Sequence, residues 1–419
     1  MTAVRQEQNA SVKFSLLLLI CSTALFATAR AQAQEPAPPT PPSPSAPATE
    51  PAKETTAAAP AAAVATPPAA PVWSVGPIDF SGLVDGYYNF NANHPAISSN
   101  GNQLRNFDYD ANAFSLNMAK LTLSHDPDPI GFRVDLGFGK AFNQILASEP
   151  NFKYLEQAFV SWKPTKGKGF EADFGEFVTS AGAEVIETKD NWNYSRSLLF
   201  SLAIPYYHVG LRTSMPITKT FTGGVQVVNG WNNFTDNNSG KTVGLTGVYT
   251  KTKFTWSGNF YTGPENTNTD KGFRNLIDST LLLTPTAKFN AYINYDYVQN
   301  RNAVAITPTT YKVSSLDHLQ GIAVAGHYQA TGTVAFAGRY EYLADGTGSG
   351  VATFGSGTHQ KLNEFTLTGE YKIPEGSLVR VEYRRDGADQ PYFDKGTAKL
   401  VKGQSTLEVG VVAYFGPKR

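Results

Sequence analysis

The sequence is poor in residues that staple or cluster. Only one of its 419 residues is cysteine, Cys21. A lone thiol builds neither a disulfide framework nor a thiolate metal cluster. Net charge is absent as well, because 35 Lys and Arg offset 35 Asp and Glu. Composition therefore supplies no basic surface for a nucleic acid or another polyanion. Beyond Ala29 no apolar run reaches the ~20 residues that a membrane-crossing helix needs.

What is present divides the chain in three. Arg5 and Lys13 precede an apolar run from Phe14 to Ala29, with small-residue cleavage options at ARA and AQA. This is the anatomy of a secretory signal peptide, here residues 1–33. The stretch LLIC has the look of a lipoprotein site, but Ile20 is bulky where such a site wants a small residue. Residues 34–77 are dominated by Pro, Ala and Thr and carry little to bury, so they read as a disordered periplasmic linker.

From Ile78 the pattern alternates. In IDFSGLVDGYYNF, Ile78, Phe80, Val84, Tyr88 and Phe90 share one parity, and Asp79, Ser81, Asp85 and Asn89 the other. The theme recurs in IGFRVDLGFGKAF, KFNAYINYDYVQN, GTVAFAGRYEYLAD and SLVRVEYRRDG, in runs of roughly 9–13 residues, the length of a tilted membrane-crossing strand. Three runs are less regular. The phase of AFSLNMAKLTLSH flips near Ala119, which implies a bulge; YLEQAFVSWKP fits either orientation; RNLIDSTLLLTP ends apolar on both parities.

Between the runs, long polar connections alternate with tight turns such as DPDP, TKTK, TPTA and IPEG. An up-and-down meander places all long loops at one end and all turns at the other. The expectation is an all-β closed transmembrane antiparallel barrel of about sixteen strands over residues 78–415, with a short tail at 416–419. Lipid cannot satisfy bare edge groups, so the sheet must close. Aromatics cluster at both strand ends on the apolar parity, as two bilayer interfaces select. A barrel of this size has a lumen wider than its side chains fill, and the loop Thr179–Ala203 is the candidate for an internal constriction.

The inward parity is predicted to contain Asp85, Arg133, Asp135, Glu171, Asp173, Arg212, Arg339, Glu341, Arg380, Glu382 and Arg384, with His208 beside Arg212 as a solvated polar residue. As pore-lining residues they form a transverse field or simply keep the lumen wet. No cofactor, metal or catalytic set is expected. DNNSGKT resembles a phosphate loop but has Thr235 where glycine is required and joins two strands. The six histidines are scattered, FDYDAN and DPDP lack calcium-loop spacing, and no nucleophile motif occurs.

The run Gly175–Arg212, with VVNGWNNF and FSGLVDGYYNFN, resembles the beta-barrel porin type 2 family of OmpL-like outer-membrane porins. The resemblance covers about 78–415. It implies a barrel in the outer membrane of a Gram-negative bacterium, non-enzymatic, through which small hydrophilic solutes or ions diffuse. Lipid, the barrel assembly machinery and two further copies in a homotrimer are the implied partners. Phe415, the aromatic that ends the final strand, is followed by GPKR. A barrel-borne enzyme, a surface adhesin acting through its loops and a soluble periplasmic β-protein are the competing readings.

Overall fold

The computed structural model describes residues 74–416, apart from 97–100, 147–148, 150, 308–309, 347–359, 375 and 398. The signal segment, nearly all of the linker and residues 417–419 lie outside the described residues. One seventeen-stranded antiparallel sheet dominates; one member is only the pair Ser74–Val75, which leaves sixteen barrel strands.

In chain order these are β1 (Ile78–Asn91), β2 (Ala113–His125), β3 (Ile130–Phe138), β4 (Leu155–Trp162), β5 (Glu171–Val178), β6 (Tyr207–Pro216), β7 (Phe221–Val228) and β8 (Thr242–Lys251). There follow β9 (Phe254–Gly263), β10 (Arg274–Leu283), β11 (Phe289–Asn300), β12 (Asp317–Gln329), β13 (Val334–Asp345), β14 (Gln360–Ile373), β15 (Ser377–Ala388) and β16 (Gly403–Phe415). Each pairs with its sequence neighbour, and β16 returns to β1 with Gly82 opposite Phe415. That last pairing removes both sheet edges, as lipid requires.

The alternation of connections is complete. Short turns join β2–β3, β4–β5, β6–β7, β8–β9, β10–β11, β12–β13 and β14–β15, and the long loops all lie at the other end. Outward faces are apolar. Phe289, Tyr328, Phe336 and Tyr371 are exposed toward the turn end, Phe90, Phe114, Phe260 and Phe365 toward the loop end, and Ile293, Val324, Leu367 and Val411 between them. Two small hairpins, Ala303–Thr307 with Thr310–Val313 and Phe393–Lys395 with Lys399–Val401, extend the long loops after β11 and β15.

The irregular runs have local causes. Asp85 pairs with Met118 and Gly86 with Leu116, so Asn117 is the extra residue of a bulge. Both Asn117 and Met118 are buried inside, and Asn117 donates to Asp85 at 2.7 Å. The bulge thus sits two residues before the expected Ala119. A second bulge at Glu156 turns both Glu156 and Gln157 inward, which is why that strand showed no clear phase. In β10 the inward Leu276 and Leu282 are apolar because they meet protein rather than water.

Candidate functional site: an occupied barrel interior

That protein is the loop 179–206 between β5 and β6. It enters the barrel, makes a 3₁₀ turn at Thr188–Asp190 and a short helix at Leu198–Leu202, and returns to the wall at Tyr207. Ser197 caps this helix, its hydroxyl accepting from Phe200 N at 2.9 Å. Ala181, Ile186, Tyr194, Leu198, Leu199, Phe200 and Ile204 pack with inward wall residues Leu83, Tyr87, Met118, Leu276, Tyr292, Leu319, Leu343 and Val412 in one apolar cluster. Two inward glycines make room. A Cβ on Gly410 would lie 2.2 Å from the Tyr194 ring, and one on Gly321 would lie 2.5 Å from Leu199 Cδ2.

Polar contacts hold the loop more specifically. Arg380 donates to the carbonyls of Thr188 at 2.6 Å and Asn193 at 3.0 Å, and also to that of Asn191. Its charge is paired with Glu370 at 2.7 Å. Arg384 donates to Arg196 O at 2.6 Å. Arg339 donates to Ser195 O at 2.8 Å and to Glu184 at 2.6 Å. Glu382 accepts from the backbone N–H groups of Tyr194 at 2.6 Å and Ser195 at 3.0 Å. Glu341 accepts from Leu199 N at 3.2 Å, and Asp278 from Gly182 N at 3.1 Å. Asp85 accepts from the hydroxyls of Thr188 and Tyr194. A loop has no ladder for its backbone groups, so buried wall side chains supply the missing partners.

Asp85, Arg339, Glu341, Arg380, Glu382 and Arg384 therefore point inward, as the alternation predicts, but they meet the loop instead of water. His208 departs further from its expected solvated state. It is fully buried, Nδ1 donates to Gly230 O at 2.9 Å, and its ring stacks on Tyr261 with centroids 5.0 Å apart.

The tip of the loop is clamped separately. Lys120 on β2 lies between Asp135 at 2.9 Å, Glu156 and Glu187, and all three carboxylates contact its ammonium. These three acids have the mutual spacing of a metal site, but the lysine already sits among them. Burial alone would raise the Glu187 carboxyl; the Lys120 ammonium outweighs it and holds the group at about 2. Toward the long-loop end, residues 101–112 add a further layer. Arg105 pairs with Asp108 and with Asp386 at 3.0 Å, and Phe107 lies under the Arg196 guanidinium at 4.3 Å.

The remaining predicted residues lie on the other wall. Arg133 and Arg212 face inward from β3 and β6 and keep partial exposure, as do Ser214, Thr222, Thr246 and Val248 beside them, which the alternation had not singled out. Arg133 forks onto Asp135 at 3.0 Å. Arg212 Nε donates to Asp173 at 2.7 Å, and its guanidinium carbon lies over the rings of Phe159 and Phe177 at 5.0 and 4.6 Å. Lys163 donates to Glu171 at 2.8 Å. Parity reasoning missed Lys120, Glu156, Glu187, Asp278 and Glu364. Lys120 and Glu156 were hidden by the two bulges, and the loop residues carry no periodic signal at all.

The channel DcaP of Acinetobacter baumannii is similar in fold, at 12% identity and a TM-score of 0.53 over 81% of this chain and 97% of that one. Salmonella typhi OmpF, in a complex with daunomycin, is 15% identical with a TM-score of 0.50 over 81% and 97%. The anion-selective porin of Comamonas acidovorans is 11% identical with a TM-score of 0.50 over 81% and 99%. At such identities the likeness establishes architecture alone. No curated protein matches the sequence. The model of the family described as "Putative beta-barrel porin-2, OmpL-like" matches residues 77–415, and the chain belongs to that family of outer-membrane porins.

Proposed function

We infer that the protein is a passive, non-enzymatic diffusion channel for small hydrophilic solutes or ions in the outer membrane of a Gram-negative bacterium. The turns and both chain ends face the periplasm, and the long loops face outward. The observation that carries this reading is the asymmetry of the interior. Loop 179–206 rests on β9–β16, β1 and β2 and touches β7 where Gln226 donates to Ser180, while the rest of the β3–β8 wall keeps partly exposed charged, hydroxyl and glycine positions on its inner face.

In this reading Arg133 and Arg212 line the water path, with Asp135, Glu171 and Asp173 behind the cations of that wall. Asp85, Arg339, Glu341, Arg380, Glu382 and Arg384 set its width by holding the loop opposite, and His208 stays buried in the wall behind Arg212. A pore narrowed from one side passes small hydrated solutes and excludes larger ones, and its low-dielectric walls strengthen the charges they carry. Export by the signal segment 1–33, insertion by the barrel assembly machinery and assembly as a homotrimer complete the proposal. The linker 34–77 acts as a spacer. Planar-bilayer recording of the folded protein tests it: discrete conductance steps are expected, and a folded barrel with none refutes the channel.

A further inference from the structure

The ion pairs on the open wall are not symmetric about the lumen. In each, the cation is the more exposed partner: Arg133 at 40% against Asp135 at 0%, Lys163 at 23% against Glu171 at 12%, Arg212 at 18% against Asp173 at 9%. The carboxylates lie behind and fix the cations from the wall side. Arg133 is the cross-strand partner of Phe159, and the Arg212 guanidinium stacks over that same ring. The two arginines therefore flank one inward phenyl group.

Arg212 is also oriented. Its Nε donates to Asp173 and its guanidinium carbon lies over the rings of Phe159 and Phe177, while its other guanidinium nitrogens have no hydrogen-bond partner among the described residues. A planar fork held at its stem, with its outer N–H groups open, suits a planar or tetrahedral oxyanion. The nearby carboxylates are already engaged: Glu156 and Glu187, which act on Arg133, contact the Lys120 ammonium, and Glu382 and Asp85 direct their oxygens at groups of the loop.

We propose that Arg212 and Arg133, on either side of Phe159, form a contact site for the oxyanion group of a permeating solute, whether carboxylate, phosphate or sulfate. The site rests on the channel reading above. It acts at short range and is distinct from the net ion preference of the pore, to which every interior charge contributes. A solute carrying such a group pauses there and slows the ions that follow it.

The test is single-channel recording of the full protein in potassium chloride. Acetate, inorganic phosphate or sulfate is added in turn at constant ionic strength. Concentration-dependent reduction of the chloride-supported current is expected. Which anion acts at the lowest concentration separates carboxylate from phosphate and sulfate solutes. Arg212→Gln and Arg133→Gln should each raise the half-blocking concentration about tenfold, the scale of one lost charge-assisted hydrogen bond. Arg212→Lys should fall between, since charge remains and the fork is lost. Block unchanged in both glutamine variants, or absent in the wild type, overturns the site and leaves the channel standing. Absence of conductance steps in the wild type overturns the channel reading beneath it.

Discussion

Replacing Arg380 by methionine keeps much of the side-chain volume and removes the charge. The variant loses three hydrogen bonds from a guanidinium to the carbonyls of residues 188, 191 and 193, and leaves Glu370 with only the more exposed Lys372 at 3.4 Å. Hydrogen bonds to a charged group contribute about 1.5–3 kcal/mol each, but the freed carbonyls regain water once the segment lifts. Breaking a buried pair by removing one partner costs about 3–5 kcal/mol, which bounds the net effect. About 3 kcal/mol is a shift of roughly a hundredfold between the seated and lifted segment. The strands themselves keep their ladder, so the barrel should still fold, as its heat-modifiable gel mobility will report. Bilayer recordings should show larger, noisier steps, and liposome swelling should admit larger sugars. A folded variant with wild-type step size, noise and size cut-off refutes the claim that wall charges hold the constriction.

Other predictions use the same contacts. Gly410→Val should drive a side chain into the Tyr194 ring and lift the loop, costing about 1–3 kcal/mol of overpacking, visible as new trypsin cleavage at Lys189 or Arg196 in the folded barrel. Lys120→Met should leave Asp135, Glu156 and Glu187 facing one another and free the loop tip, with the same cleavage as readout. The Glu187 carboxyl is held below its ordinary 4.5, at about 2, so its contribution is present above 4.5 and is lost as pH falls through about 2. For Glu187 this predicts, on acidification, steady conductance from pH 7 to 5 and a change in strong acid; a transition centred near pH 6 counts against it.

Much of the barrel was legible because its signals are local. Period two states which side chains of one strand share a face, and turn chemistry marks where strands reverse. RVEYRRDG reads correctly on this basis, with Val381 and Tyr383 outside and Arg380, Glu382 and Arg384 inside. Where the period was interrupted, as at Asn117 and Glu156, an extra residue flips the count, and no local signal says which residue it is. The inward leucines of β10 looked anomalous because alternation assumes a wet lumen. They are ordinary core residues once the loop is in place.

The sequence by itself determined that the chain forms sixteen alternating strands, closes into a barrel and belongs in lipid. Those properties follow from a two-residue repeat and from short-range turns under the demand that no strand edge stay bare. Only the tertiary structure decided what the interior charges do. Arg380 and Arg384 meet carbonyls 187 to 192 residues away in the chain, so no neighbouring residue announces the contact. A charged inward residue looks the same in sequence whether it faces water or an unpaired backbone group. The fold of one loop settles which, because buried peptide groups must find partners and these side chains are within reach.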